Sequence, residues 1–294
     1  EIITGADRGG RGMTDVPFGI ELNAFSVNLT HVNGFFADYG QGLWGNENDY
    51  ETPIAAVHER GGLTHINHPG YWLRSRNNPE RATDPRNIAF FGDLLIKYDS
   101  CVGIEAIIET DNATRHDRMF WDALLEYVIP HGRNVWGFAN SDVHTLRGID
   151  TAFGMYMMPE NTVANVRTAM ENGTFFSCSR YARIELGNEF VPVGDPPLVT
   201  RVSVNQQTKT ITLEGRGYDT IEWVAKGQVI ATGNTIMLSD YEGQIGRYVR
   251  AQLKGPGGIC FTQPFITDDG SAPTPLPSKS FFENLWYDAV FTAT

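Results

Sequence analysis

Glu21, His31, His68, Asp142 and His144 are carboxylates and imidazoles, the donor types that bind transition-metal dications. His68 ends the apolar-rich run Leu63–Ile66 in an Asn67-His68-Pro69-Gly70 corner. Pro69 has a fixed φ and no N–H, so a strand stops there, and Gly70 permits a sharp exit. His68 is thereby left at a strand tip. Trp136–Ala139 reads as a second short strand, followed by Asp142-Val143-His144. Residues two apart in extended chain point to one side, so Asp142 and His144 are expected to face together. Glu21 sits between apolar neighbours in an expected strand at 18–25, and His31 opens another at 30–36. A carboxylate has two oxygens and can bridge two cations. Paired cations a few ångströms apart clamp the attacking and leaving oxygens of a phosphoryl or acyl displacement.

Each residue alone also has a plain structural reading. Glu21 would be a solvated strand face, His31 a polar edge, and His68 a corner bonding backbone. Asp142-Val143-His144 would be an Asx turn. Five such residues at strand ends of one α/β unit favour a site. Arg74, Arg76 and Arg147 follow the two corners closely, and guanidinium forks suit phosphate oxygens, although arginines in polar loops are commonly just solvated. His58, His116 and His131 fall in helix or loop contexts. His65 alternates away from Ile66 and is at best a supporting group. Glu105, among apolar neighbours, is a weaker candidate. The sequence has no Gly-rich phosphate loop, Ser-His-Asp order or dinucleotide fingerprint.

The elements that must position these residues alternate through the first part of the chain. Helices are expected at 51–60, with Asp49 or Thr52 as cap and Gly61-Gly62 as stop, and at 115–128 and 162–172. A strand is expected at 102–109, a helix or edge segment at 90–98, and a long polar loop at 71–90. Strands alternating with helices at these intervals imply parallel pairing. Near residue 183 the pattern changes. Short alternating segments at 201–204, 210–214, 220–224, 228–231, 235–238, 248–253 and 259–265, separated by Gly-rich turns, imply a small antiparallel sandwich. The expected organisation is an α/β domain over 1–182, an Ig-like β-sandwich over 183–267, and a linker with an aromatic tail over 268–294.

The totals bound the function. The chain has 294 residues, 41% hydrophobic and 20% charged, with a formal net charge of −12. That acidity argues against a nucleic-acid polymer as partner, but not against a small anionic substrate held by a cation. Cys101, Cys178 and Cys260 form no metal-knuckle spacing, and the first two read as buried, inert thiols. No run of eighteen apolar residues exists, so no membrane span is expected. The compartment stays open between cytoplasmic and exported.

Four motifs resemble those of the PHP (polymerase and histidinol phosphatase) family of metal-dependent phosphoesterases. Phe18-Gly19-Ile20-Glu21 is similar to its Pro-Gly-Val-Glu strand, and Thr30–Phe35 to the His strand that follows. Asn67–Gly70 resembles its His-Pro motif and Ser141–His144 its closing Asp-x-His. Asn161–Ser179 is similar to the helix and strand that end such domains. The resemblance implies a distorted (β/α)7 barrel with two or three Zn, Mn or Fe ions at the strand ends. It further implies hydrolysis of a phosphate mono- or diester on a small phosphorylated substrate. The family's opening His-x-His and Asp-His motifs are missing, and Asp7-Arg8 stands roughly where the second would be. The expectation is an N-terminally incomplete barrel in which Glu21, His31 and His68 hold one cation, with Asp142 and His144 contributing to others. The alternatives are a catalytically impaired binding or scaffold protein, and an amide or lactone hydrolase using the same centre. A homo-oligomer formed through the β-domain or tail is a further expectation.

Overall fold

The computed structural model describes residues 16–40, 47–267 and 270–276. The first sheet has five strands: β1 (Ile20–Leu22), β2 (Val32–Phe35), β3 (Leu63–Ile66), β4 (Cys101–Ile108) and β5 (Trp136–Asn140), in that spatial order. β1, β2 and β3 pair antiparallel, whereas β3, β4 and β5 pair parallel. All four residues of β3 and all eight of β4 are buried, polar Thr64, His65 and Glu105 included, as expected of strands in a covered parallel sheet.

Five helices join these strands and those that follow: α1 (Glu51–Glu59), α2 (Pro69–Leu73), α3 (Pro85–Lys97), α4 (Asp117–Val128) and α5 (Val163–Asn172). Local chemistry sets their starts. Asp49 accepts from the backbone N–H of Thr52 at 2.6 Å and so satisfies a first-turn donor of α1. Pro69 opens α2, and Pro85 opens α3 behind the cap residue Asp84, whose carboxylate accepts from Arg86 N–H. The segment expected as a long loop at 71–90 is therefore mostly α2, two short 3₁₀ turns and the first residues of α3. α5 stops at Gly173, which takes a left-handed φ of 64° against the Trp136 indole, where no Cβ fits.

The second sheet contains β6 (Ala152–Tyr156), β7 (Phe175–Ser179), β10 (Thr220–Ala225), β11 (Gln228–Thr232), β13 (Tyr248–Gly255) and β14 (Gly258–Phe261). Its order is β11-β10-β13-β14-β7-β6, with β15 (Phe265–Ile266) pairing β13. The third is β12 (Thr235–Met237), β9 (Thr210–Arg216) and β8 (Leu198–Asn205). Val199, Ile211 and Leu213 of the third sheet pack with Ile221, Trp223, Val249 and Leu253 of the second in one apolar core. A separate core joins the first sheet to α1, α3 and α4 through Ile54, Ile66, Phe91, Leu95, Ile104, Phe120 and Trp121.

The (β/α)7 barrel expected from the sequence is not formed: the three sheets are open among the described residues. A helix between two strands was read as a parallel crossover, but only β3–α3–β4 and β4–α4–β5 are such units. The connections carrying α1 and α5 return the chain antiparallel instead. β6 pairs with β7, and β7 pairs on its other side with β14, rather than either closing on the first sheet. The second sheet accordingly runs across residue 183, where the sequence pattern changes.

Buried polar contacts bind these parts further. Arg250 on β13 donates to both carboxylate oxygens of Asp122 on α4, at 2.8 and 2.7 Å, and the Tyr248 hydroxyl donates to the same group at 2.7 Å. Arg118 on α4 bridges Asp111 and Glu185. Residues 270–276 run back along the end of α4, where Thr274 N–H donates to Pro130 O at 2.8 Å. The aromatic segment 281–291, and the glycine-rich opening segment except Val16, lie outside the described residues.

Candidate metal centre

Three neighbouring strands bring their polar residues to one end of the first sheet. β2 runs antiparallel to β3, so the start of β2 lies beside the end of β3, and Asn67 N–H donates to His31 O at 3.1 Å. β1 returns alongside, with Glu21 paired to Asn33. Three side-chain atoms meet there. His31 Nδ1 is 3.1 Å from Glu21 Oε1 and 3.1 Å from His68 Nε2, and His68 Nε2 is 3.6 Å from Glu21 Oε1. Among the described residues this is the one group of three or more potential ligands that meets within 4.8 Å.

The triangle has the size of a coordination face. A triangle with those edges has a circumradius of about 1.9 Å, while Zn–N and Zn–O bonds are about 2.0–2.2 Å. A single cation bound there would be held by Glu21 Oε1, His31 Nδ1 and His68 Nε2. Without a cation, protons shared between the two imidazoles and the carboxylate hold these three atoms together, and a bound cation would replace those protons. His31 Nε2 and His68 Nδ1, the other ring nitrogens, are buried without a protein partner.

The surroundings hold these groups in place. Asn67 Nδ2 donates to Glu21 Oε1 and to Asn33 Oδ1, both at 3.0 Å, while its Oδ1 accepts from Asn33 N–H at 3.0 Å. Burial acts to raise the Glu21 carboxyl, but hydrogen bonds from His31, His68 and Asn67 outweigh it and hold the group well below the usual carboxylate range. Glu21 is therefore anionic at any ordinary pH. Burial lowers the His68 imidazole, yet the Glu21 hydrogen bond and the charge of Glu105 carry it above its ordinary value. His68 takes φ 25°, ψ 59°, an uncommon conformation for a residue with a side chain. Its backbone N–H donates at 2.7 Å to Glu105, a buried carboxyl on β4 that also accepts from Asn140 on β5. Burial raises the Glu105 carboxyl.

The rim beyond is acidic. Asp117, at the start of α4, is fully buried against the backbone of Gly70, and burial pushes its carboxyl well above the ordinary range. A Cβ on Gly70 would lie 2.2 Å from its Oδ1, so the corner glycine makes room for that acid. Tyr71 packs edge-on to His68 with ring centroids 5.0 Å apart. Burial and the charges of Glu109 and Asp142 push its hydroxyl up to about 12.

Asp142 and His144 do not join the triad. They pair with each other at 3.2 Å, and the His144 side chain is 77% exposed. The expected strand ends at Asn140, and Asp142 takes a left-handed φ of 43°, so the extended geometry that would have aimed both side chains at the centre is lost. Arg74, Arg76 and Arg147 are exposed, and none of their guanidinium groups has a hydrogen bond or ion pair among the described residues. His65 is buried, stacked on Phe138 at 4.3 Å, and burial lowers it to about 3, so it stays neutral.

Sequence reasoning underrated Glu105, although a lone carboxylate in an eight-residue apolar run cannot be a solvated face. It missed Asn67 beside His68, and it had no signal for Asp117, which reads as an ordinary first-turn helix acid. Comparison with family models, with curated proteins and with solved structures finds no match.

Proposed function

We propose that this chain is a metal-dependent hydrolase of phosphate esters whose divalent cation is held by Glu21, His31 and His68. The carrying observation is the convergence of Glu21 Oε1, His31 Nδ1 and His68 Nε2 within 3.1–3.6 Å. The motif resemblance described above points the same way, although its barrel does not. When bound, the cation supplies Lewis acidity and makes water a stronger acid. The chain's own residues do the rest. Asn67 fixes the Glu21 carboxylate. Glu105 fixes the backbone of His68. The carboxylates of Glu109 and Asp142 disfavour a free anion, so a phosphate ester is accepted where a cation offsets them. Arg74 and Arg76, on the segment that follows His68, offer unpaired guanidinium groups for its outer oxygens.

The test is zinc and manganese titration of chelator-treated protein, followed by hydrolysis of an aryl phosphate and a bis-aryl phosphate. Stoichiometric binding, with activity that returns on adding metal and is lost in Glu21→Gln and His68→Ala, is the expected outcome. Activity that survives chelation refutes the metal role. Metal binding without phosphatase or phosphodiesterase activity refutes the ester assignment and directs attention to amide or lactone substrates.

A further inference from the structure

The three cysteines are free thiols, and all are fully buried. Two of them are neighbours. Cys178 on β7 and Cys260 on β14 are directly opposed partners in the antiparallel pairing of those strands. Their sulfurs lie 3.2 Å apart, 82 residues apart in the chain. Opposed residues of antiparallel strands have Cα atoms about 4.5 or 5.5 Å apart, and both separations fall within the range that a disulfide spans. The sulfurs need to approach by only about 1.2 Å to reach bonding distance, which small χ1 rotations supply. Cys101 lies on β4 of the first sheet.

We propose that Cys178 and Cys260 are the site of a cross-strand disulfide that staples β7 to β14. Each thiol gives up one proton, and the pair gives up two electrons to a disulfide oxidant of the glutathione class, which leaves as two thiols. One sulfur attacks the oxidant to form a mixed disulfide, and the other displaces the oxidant's remaining thiol to close the bond. No charged group stabilises a thiolate here, and the neighbouring Cys178 thiol and burial hold the Cys260 thiol well above its ordinary range. Exchange is therefore confined to the time before β7 and β14 pair, or to openings of that pair. Once made, the bond is shielded from reductant by the core formed by Phe176, Val199, Trp223 and Leu253.

The experiment unfolds the reduced full-length chain, refolds it at pH 8 in glutathione redox buffer, removes the buffer and counts thiols in denaturant. One thiol per chain is expected, against three in protein refolded with reductant, with a mass lower by two hydrogen atoms. Cleavage after Lys and Arg should then join fragment 168–180 to fragment 255–279. Closing so long a loop should raise the midpoint of thermal unfolding by about 5–8 °C over the reduced protein. Cys178→Ala and Cys260→Ala should each retain two thiols and show no such rise. If either variant fails to fold, the thiol count and fragment map of the unaltered chain still decide. Three thiols after oxidative refolding, a bond involving Cys101, or a bond that leaves the midpoint unchanged or lower overturns the proposal.

Discussion

Replacing Asn67 by alanine separates the support of the candidate centre from its ligands. Asn67 Nδ2 donates to the same Glu21 oxygen that faces His31 and His68, and its Oδ1 accepts from Asn33 N–H. The substitution leaves every ligand atom in the chain but releases the carboxylate to rotate. Residues that hold metal ligands in place are worth about 10–100-fold in affinity, so the zinc dissociation constant should rise by that factor, or about 1.4–2.7 kcal/mol. Stability should fall separately, because the Asn33 N–H loses its acceptor at a cost of about 1–3 kcal/mol. The two effects are read by two assays: competition with a chromophoric chelator on folded protein at 25 °C, and thermal unfolding of metal-free protein. Glu21→Gln, which removes the charge itself, should weaken zinc further than Asn67→Ala. If Asn67→Ala binds zinc within twofold of the parent while its unfolding midpoint drops, Asn67 serves the strands and not the centre. If Glu21→Gln also binds unchanged, the triad is not the metal site.

Other expectations follow from contacts already described. Arg250→Met leaves the buried Asp122 carboxylate without its guanidinium partner and should cost about 3–5 kcal/mol in chemical denaturation, whereas pairing it with Asp122→Leu should recover much of that loss. Burial raises Asp117 above its ordinary value of 3.8, so its contribution to stability is full below that pH and declines as pH rises toward the folded-state value. In metal-free protein, Asp117→Asn should therefore gain on the parent as pH rises above about 4 in thermal scans; a constant difference would contradict a protonated Asp117. Asp84→Ala removes the cap of α3 and should cost about 1 kcal/mol in urea unfolding. Gly70→Ala places a methyl group on the Asp117 carboxyl and should lower both the unfolding midpoint and zinc affinity.

The sequence carried the individual elements better than their arrangement. Apolar periodicity and the punctuation by Pro69, Gly61 and Gly173 marked α1, α4, α5 and strands β3 to β5 to within a few residues. Pairing direction was not legible, because a helix-bearing connection can return its strand on either side. Only hydrogen-bond register, as between Val32 and Ile66, distinguishes the cases. Glu21, His31 and His68 converge because the ends of β1, β2 and β3 coincide. Asp142 and His144 do not, because the chain leaves β5 at Asn140 and turns at Asp142 before their side chains can be aimed. Asn67 and Glu105 show how a supporting group hides: its role depends on what lies across the sheet, which local spacing does not encode.

The pairing of β7 with β14 bears on how this molecule can be dissected. A polypeptide ending after residue 182 would present Phe175–Ser179, every residue of which is buried in the whole chain, as a naked rim with its ladder partner gone. The complementary piece would be equally bare along Gly258–Phe261. Such rims recruit strands from other molecules, so neither half should be recoverable as a well-behaved monomer. The compositional break in the chain is a poor place to cut it.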